Sequence, residues 1–183
     1  MDESHDEDAP EEDEPFAERE DQPDEEGRLT RAQELFQQAY ESQQEGEFER
    51  AIRLYKQSLE AYPTAEAHTF LGWTYSFQGR LDEAIAACHK AIEVDPDFGN
   101  PYNDIGVYLM QKGRYDEAIP WLERAKQAPR YEPRHFPYLN MGRIYLGKGD
   151  WLKALKEFEQ AVEIMPDDPG ARKALAALRA RLN

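Results

Sequence analysis

The chain has 183 residues, of which 38 are acidic and 22 are basic, so its net charge at pH 7 is −16. A polyanion is repelled by phosphate backbones and by anionic lipid, which excludes nucleic acid and membrane surfaces as expected partners. Its single cysteine, Cys88, excludes an internal disulfide and a cysteine-based zinc site, and is typical of a reducing compartment.

The first 28 residues form an acidic segment. They contain 15 of the 38 acidic residues, and Phe16 is their only aromatic residue. Because so few apolar side chains cannot offset the entropy of ordering, we predict that residues 1–28 are a disordered tail. Three roles stay open for this tail: a solubilising appendage, a contact for a basic partner, or a lid on another part of the chain.

The same N-terminal stretch bears on location. The start "MDESHDED" has neither a positively charged region nor an apolar core of the kind found in secretory signals. No run in the chain approaches the roughly 18 consecutive apolar residues of a membrane span. We therefore expect a cytoplasmic protein without membrane insertion.

Residues 29–183 contain a repeated phrase, which reads "GEFERAI", "GRLDEAI", "GRYDEAI" and "GDWLKAL" in its four copies. The glycines that open these copies, Gly46, Gly79, Gly113 and Gly149, are 33, 34 and 36 residues apart. A period of this size is typical of a stacked array. It divides the chain into repeats 32–64, 65–98, 99–134 and 135–168, followed by residues 169–183.

Each repeat is predicted to be a hairpin of two helices separated by the repeated glycine, which suits a helix end because it adopts positive φ without a Cβ penalty. The stretch "TRAQ" from Thr30 fits a capping box that would open the first helix. A set of small residues in the first helices is expected to face a set of alanines in the second. The two sets are Ala39, Gly72, Gly106 and Gly142, and Ala51, Ala84, Ala118 and Ala154.

The last residues are predicted to form a capping helix. Asp168 and Pro169 suit its N-cap and first position, and Ala171, Leu175 and Leu178 lie on one apolar stripe. The opposite face is basic. Terminal repeats need such a cap for solubility.

Small residues at the eighth, twentieth and twenty-seventh places of each unit, with Pro63, Pro96 and Pro166 near the unit ends, resemble the tetratricopeptide repeat. The resemblance covers residues 32–166 and implies an all-α, right-handed superhelical solenoid of antiparallel helix pairs. The third unit departs from the pattern, because Pro129 comes one place early and "PRYEPRHFPY" contains two extra residues. Packing between units three and four is therefore left open.

The resemblance also implies a concave groove, lined by the first helices, that binds a peptide. Its aromatic members are expected to anchor an apolar or aromatic segment, while Asn103 and Asn140 would hold a peptide backbone. The aromatic members are Phe36, Tyr40, Phe70, Trp73 and Phe77. Trp73 is expected to be the most exposed of them, and two or three are expected to pack between units. The candidate groove residues are Phe36, Tyr40, Phe70, Trp73, Phe77, Asn103, Val107, Asn140 and Arg143.

One well-known subclass of the family clamps a C-terminal carboxylate with lysine, arginine and asparagine. The matching places here hold Phe36, Tyr40, Phe70, Asn100 and Asp104, so this clamp is absent and Asp104 would repel a carboxylate.

No catalytic constellation is evident. The four histidines have no His or Cys at ligand spacing, and paired carboxylates such as Asp82 with Glu83 recur at predicted helix starts, where they favour the helix dipole. Cys88 stands where other units have large apolar residues, so a buried thiol is expected. We predict no catalytic residue, no metal and no cofactor.

The sequence therefore predicts a scaffold or adaptor that binds a protein or peptide partner. A chaperone for a secreted or assembly-bound client is the alternative, and an enzyme is a remote third. Nothing in the sequence indicates homo-oligomerisation, which stays open.

Overall fold

The structure, a computed structural model, describes residues 24–182. Residues 1–23, which carry most of the predicted acidic tail, and residue 183 lie outside the described residues. The described range is all-α, as predicted. Its helices are α1 (Glu25–Gln44), α2 (Phe48–Ala61), α3 (Ala65–Phe77), α4 (Leu81–Val94), α5 (Asn100–Gln111), α6 (Tyr115–Gln127), α7 (Phe136–Gly147), α8 (Trp151–Ile164) and α9 (Pro169–Leu182).

Consecutive helices pair into four hairpins, and α9 packs on the last of them. The pairs α1 with α2, α3 with α4, α5 with α6 and α7 with α8 make the most extensive helix contacts of the described chain. First helices of neighbouring units also contact one another, from α1 to α3, α3 to α5 and α5 to α7. The solenoid therefore has one face built from α1, α3, α5 and α7, which we call the inner face.

The first helix begins earlier than the sequence indicated. Asp24 caps α1, because its Oδ1 accepts a hydrogen bond from the backbone N–H of Gly27 at 2.8 Å. The acidic side chains of Glu25 and Glu26 then lie in the first turn, where the helix dipole favours negative charge. The capping box predicted at Thr30 is therefore wrong, and residues 25–28, predicted as tail, belong to α1.

The four repeated glycines end the first helix of each hairpin. Their φ angles are +79°, +73°, +72° and +76°, as predicted for a left-handed C-terminal cap. In the second unit the N–H groups of Gly79 and Arg80 donate to the carbonyls of Ser76 and Tyr75, both at 3.0 Å. This pair of hydrogen bonds is the Schellman motif, which satisfies carbonyl groups that the helix end leaves without a partner.

The glycines of the first helices lie close to the second helix of their own hairpin. A Cβ on Gly106 would lie 2.5 Å from Cδ2 of Leu122, and one on Gly142 would overlap the ring of Phe158. Gly72 lies close to a repeated alanine, as predicted, since its Cβ would be 3.1 Å from the carbonyl oxygen of Ala84. Gly106 and Gly142 thus make room for a large buried side chain one helical turn beyond the repeated alanine.

Cys88 occupies the position of that large side chain in the second unit. It is fully buried, as predicted from the apolar residues at the matching places. Burial raises the pKa of its thiol well above the ordinary value, so the thiol stays protonated near neutral pH.

The C-terminal cap forms as the sequence indicated. Oδ1 of Asp168 accepts a hydrogen bond from the N–H of Ala171 at 2.6 Å, and Pro169 is the first helical residue. Ala171, Leu175 and Leu178 are buried in one cluster with residues of α7 and α8. The apolar end of the last hairpin is thereby covered.

The irregular connection between units three and four folds back on the connection before it. The backbone N–H of Arg130 donates to the carbonyl of Asp97 at 3.1 Å, and the N–H of Gly99 donates to the carbonyl of Arg130 at 2.8 Å. Tyr131 is buried over Gly99, where a Cβ would lie 2.7 Å from Cγ of Tyr131. The extra residues therefore form an anchored segment, residues 130–135, which we call the junction loop.

Candidate peptide-binding surface

The N-terminal half of the inner face is a cluster of aromatic rings around Phe70. The centroid of the Phe70 ring lies 5.1 Å from that of Phe36, 5.8 Å from that of Tyr40 and 4.8 Å from that of Trp73. Such edge-to-face and tilted contacts stabilise a cluster beyond the area that it buries. Phe36, Phe70 and Trp73 are half-buried, so these three pack between units, in line with the expectation for part of the set.

The most exposed aromatic residue of the candidate set is Phe77, not Trp73. The side chain of Phe77 is 60% exposed and that of Tyr40 is 38% exposed. Trp73 is held in place because its Nε1–H donates to Oδ2 of Asp104 at 2.5 Å. The expectation for Trp73 is wrong because a carboxylate one unit away, 31 residues along the chain, binds its only polar atom.

The C-terminal half of the inner face carries a chain of hydrogen bonds. Nδ2 of Asn140 donates to Oδ1 of Asn103 at 3.0 Å, and a guanidinium N–H of Arg143 donates to Oδ1 of Asn140 at 3.2 Å. Nδ2 of Asn103 makes a longer contact of 3.4 Å to Oδ1 of Asp104. We call these four residues the polar chain. Both asparagines are buried and bond to each other, which differs from the expectation that they are free to hold a peptide backbone.

A cleft of about 480 Å³ opens where the two halves meet, and we call it the junction cleft. Its walls come from α3, α5, the junction loop and the start of α7. It is lined by Trp73, Ser76, Phe77, Asn100, Asn103, Asp104, Val107, Tyr108, Gln111, Tyr131, Glu132, Pro133 and Phe136. A second cleft of about 490 Å³ lies against α1 and α3, beside Phe36 and Phe70.

Sequence reasoning missed the junction-loop wall of the junction cleft. It placed Trp73, Phe77, Asn103 and Val107 on one surface, and all four line this cleft. Tyr131 and Pro133 were not identified, although the irregular stretch "PRYEPRHFPY" was the available signal. Phe136, by contrast, holds the second place of the fourth unit, which the family resemblance assigns to the groove. A periodic alignment assigns no place to inserted residues, so their position needed the structure.

Asp104 is the unusual ionisable group of the cleft. Its residue is only 8% exposed, and burial raises the pKa of its carboxyl to about 7, while the hydrogen bonds from Trp73 and Asn103 act in the opposite direction. A carboxyl with this pKa is partly protonated and partly ionised near neutral pH. The pKa of the neighbouring Tyr108 hydroxyl is also raised by burial.

Among the residues that the structure describes, no three His, Cys, Asp or Glu side chains come together as a potential metal site. Within residues 24–182, no helix combines the length and the apolar character needed to cross a bilayer.

Comparison with known proteins identifies the class. Family models described as tetratricopeptide repeat match residues 38–66, 65–98 and 97–167 in succession. The range 65–98 covers the second hairpin, 97–167 covers the third and fourth, and 38–66 covers the end of α1 with α2. The chain belongs to the tetratricopeptide repeat family.

Similar proteins include one curated relative and two solved structures. The small glutamine-rich tetratricopeptide repeat-containing protein 2 of Mycosarcoma maydis is 30% identical over 101 residues, which is 55% of this chain and 28% of that protein. PilF of Pseudomonas aeruginosa is 25% identical with a TM-score of 0.78, over 85% of this chain and 70% of that one. MamA is 25% identical with a TM-score of 0.67, over 80% of each chain.

The chain thus spans little more than a quarter of the length of that curated relative. Family membership and likeness in fold support a protein–protein interaction scaffold, and tetratricopeptide proteins are generally not enzymes.

Proposed function

We propose that this protein is a scaffold whose inner face binds an apolar or aromatic segment of a partner protein. The observation that carries the proposal is the exposed apolar surface beside the junction cleft. Phe77 is 60% exposed, and Phe136 on the opposite side of the cleft is 38% exposed. Val107, half-buried, lines the same cleft.

This surface suits an anchoring contact. Covering an exposed phenylalanine removes apolar area from water at about 25 cal/mol per Å². Aromatic side chains that enter well-packed pockets carry most of the binding energy in typical protein interfaces. The ring of Phe77 stacks on that of Phe48, with 5.5 Å between the centroids, which supports it from one side. Rigid support lowers the ordering cost of binding.

The proposal also covers the kind of partner. With a net charge of −16, the chain would repel nucleic acid, so a protein is the better match. Binding rather than catalysis is the mechanism, and the cytoplasm is the compartment that the sequence favours. Of the candidate residues, Tyr40, Phe77 and Val107 are assigned to partner contact. The polar chain is assigned to holding the helices of the inner face together.

Affinity capture from native lysate tests the proposal. We would compare the wild type with a Tyr40→Ala, Phe77→Ala double variant and with Leu152→Ala as a matched control. Leu152 is a large apolar residue that is 77% exposed on α8, away from the inner face. We expect one partner to be retained by the wild type and by Leu152→Ala and to be lost by the folded double variant.

Capture that survives the double variant but fails with Leu152→Ala would overturn the assignment of the inner face. A partner that binds only in its unfolded form, at equal stoichiometry, would favour the chaperone alternative over an adaptor.

A further inference from the structure

We propose that the junction cleft is a subsite for a single arginine side chain of the partner, held between aromatic walls and the carboxylates of Asp104 and Glu132. This inference rests on the proposed function, because it names the residue that the partner would insert beside Phe77. Three independent features of the described residues lead to it.

The first feature is the charge of the cleft. Asp104 and Glu132 are the charged side chains among the residues that line it, and no basic residue belongs to that lining. Glu132 is exposed, and its contact with Arg134 is loose at 3.6 Å. Oδ1 of Asp104 receives only the 3.4 Å contact from Asn103, so this oxygen keeps capacity for a stronger donor.

The second feature is a polar atom without a partner. Tyr108 lines the cleft and is 97% buried, and its hydroxyl, which lies near Ser76, makes no hydrogen bond of good geometry among the described residues. A buried hydroxyl without a partner is costly. A guanidinium carries five N–H donors and no acceptor, so it can donate hydrogen bonds to the Tyr108 oxygen and to a carboxylate at the same time.

The third feature is the set of contacts between cations and tryptophan rings. The guanidinium carbon of Arg124 lies 5.3 Å from the ring centroid of Trp121, and that of Arg181 lies 4.0 Å from that of Trp151. Among the described residues, no cation lies over Trp73, which is the tryptophan of the acidic cleft. An arginine that enters the cleft would give Trp73 the kind of cation contact that Trp121 and Trp151 already have.

Arginine fits these features better than lysine. Its planar guanidinium stacks on aromatic faces and binds carboxylates through two parallel hydrogen bonds, whereas an ammonium is a compact and strongly hydrated charge. A carboxylate ligand is excluded because Asp104 would repel it. The net charge of −16 also favours encounter with a basic segment.

Binding of the cation should depend on pH through Asp104. The ionisable groups around this carboxyl are Cys88 on α4, Tyr108 on α5 and Tyr131 of the junction loop. Burial raises the pKa of all three, so they stay neutral between pH 6 and 8. Asp104, with a pKa of about 7, is the buried group here that changes charge in that range. Affinity for arginine should therefore rise from pH 6 to pH 8.

A titration of the full chain with N-acetyl-arginine amide tests the proposal, with N-acetyl-citrulline amide as the neutral control of nearly the same shape. The readout is the indole N–H signal of each tryptophan in a ¹H–¹⁵N correlation spectrum. We expect a selective shift of the Trp73 signal with a dissociation constant of roughly 1 mM, as for a ligand of this size. Citrulline should cause a shift at least tenfold weaker in apparent affinity.

Three variants complete the test. Asp104→Asn keeps the shape and an acceptor for Trp73, and should weaken arginine binding at least tenfold and abolish its pH dependence. Glu132→Gln, on the exposed loop, should weaken it about threefold by the loss of a screened charge. Glu60→Gln, an exposed acidic residue on α2, should leave it unchanged.

Equal binding of citrulline, or an Asp104→Asn variant that binds arginine as the wild type does, would overturn the proposal. Failure of the proposed function is recognised separately. It would appear as a Phe77→Ala variant that keeps its captured partner while the arginine amide still binds at Trp73.

Discussion

The two halves of the inner face are built from different chemistry. On α1 and α3 the face is aromatic, and Phe70 touches the rings of Phe36, Tyr40 and Trp73. On α5 and α7 it is polar, and Asn103 and Asn140 join the third and fourth units through a side-chain hydrogen bond. Trp73 belongs to both, since its ring packs on Phe70 and its N–H binds Asp104.

The difference shows that position on a binding face does not make a residue available for binding. In each half, most residues that the repeat pattern assigns to the inner face pack against or hydrogen-bond to one another. Surface that remains free is concentrated at the boundary, where Phe77 projects and the junction cleft opens. We therefore assign stability to the interior of each half, and partner binding to the boundary and to the exposed ring of Tyr40.

The largest expected effect separates the aromatic half from the boundary. Phe70→Ala should lower the free energy of unfolding by about 2–3 kcal/mol, less than for a fully buried phenylalanine because Phe70 is half-buried. Phe77→Ala, the matched control, should change it by less than about 0.5 kcal/mol. Urea denaturation followed by far-UV circular dichroism measures both. Equal losses in the two variants would remove the distinction between packing and exposed rings.

The polar half should show the next largest effect through pH. In the folded state the pKa of Asp104 is about 7, against an ordinary value of 3.8, so folding favours its protonated form. The stability that this group contributes is fully present below pH 3.8 and is lost as pH rises to about 7.

Relative to Asp104→Asn, the wild type should therefore lose about 2 kcal/mol of unfolding free energy between pH 5.5 and 8, because one pKa unit corresponds to about 1.4 kcal/mol. Urea denaturation of both proteins at several pH values measures this difference. Parallel stability curves for the two proteins would show that Asp104 is ionised throughout this range.

A smaller effect is expected within the polar chain. Asn140→Ala removes the donor to Oδ1 of Asn103 and leaves a buried acceptor unsatisfied, which should cost about 1–2 kcal/mol. Arg143→Ala removes an exposed donor from the same chain and should cost less than about 0.5 kcal/mol. Thermal and urea unfolding of the two variants would compare them. A larger loss for Arg143→Ala would mean that the exposed end stabilises the chain.

Much of the fold could be predicted because it repeats. A glycine at positive φ, a small residue and a large apolar residue recur in each unit, and four copies indicated the hairpins. The start of α1 at Glu25 could not be inferred in this way, because its additional N-terminal turns have no counterpart in the other units. The start of α1 is set locally, by the capping hydrogen bond to Asp24.

The candidate surface was predicted less completely, for two physical reasons. Repeat positions indicate which face a side chain occupies, but not which neighbour satisfies it, as the Trp73–Asp104 bond shows. The junction loop interrupts the period, so no repeat position described Tyr131 or Pro133. These residues complete the cleft through a backbone bridge between residues 97–99 and Arg130 that no local pattern announces.

The most direct test of the account is the dissociation constant of the captured partner's binding segment for the wild type, Phe77→Ala and Leu152→Ala, measured by isothermal titration calorimetry. The account predicts that Phe77→Ala raises this constant tenfold or more, a loss of about 1.4 kcal/mol, because an exposed anchor on the inner face is removed. Leu152→Ala should leave it unchanged. An unchanged constant for Phe77→Ala, with a raised one for Leu152→Ala, would contradict the assignment of partner binding to the inner face.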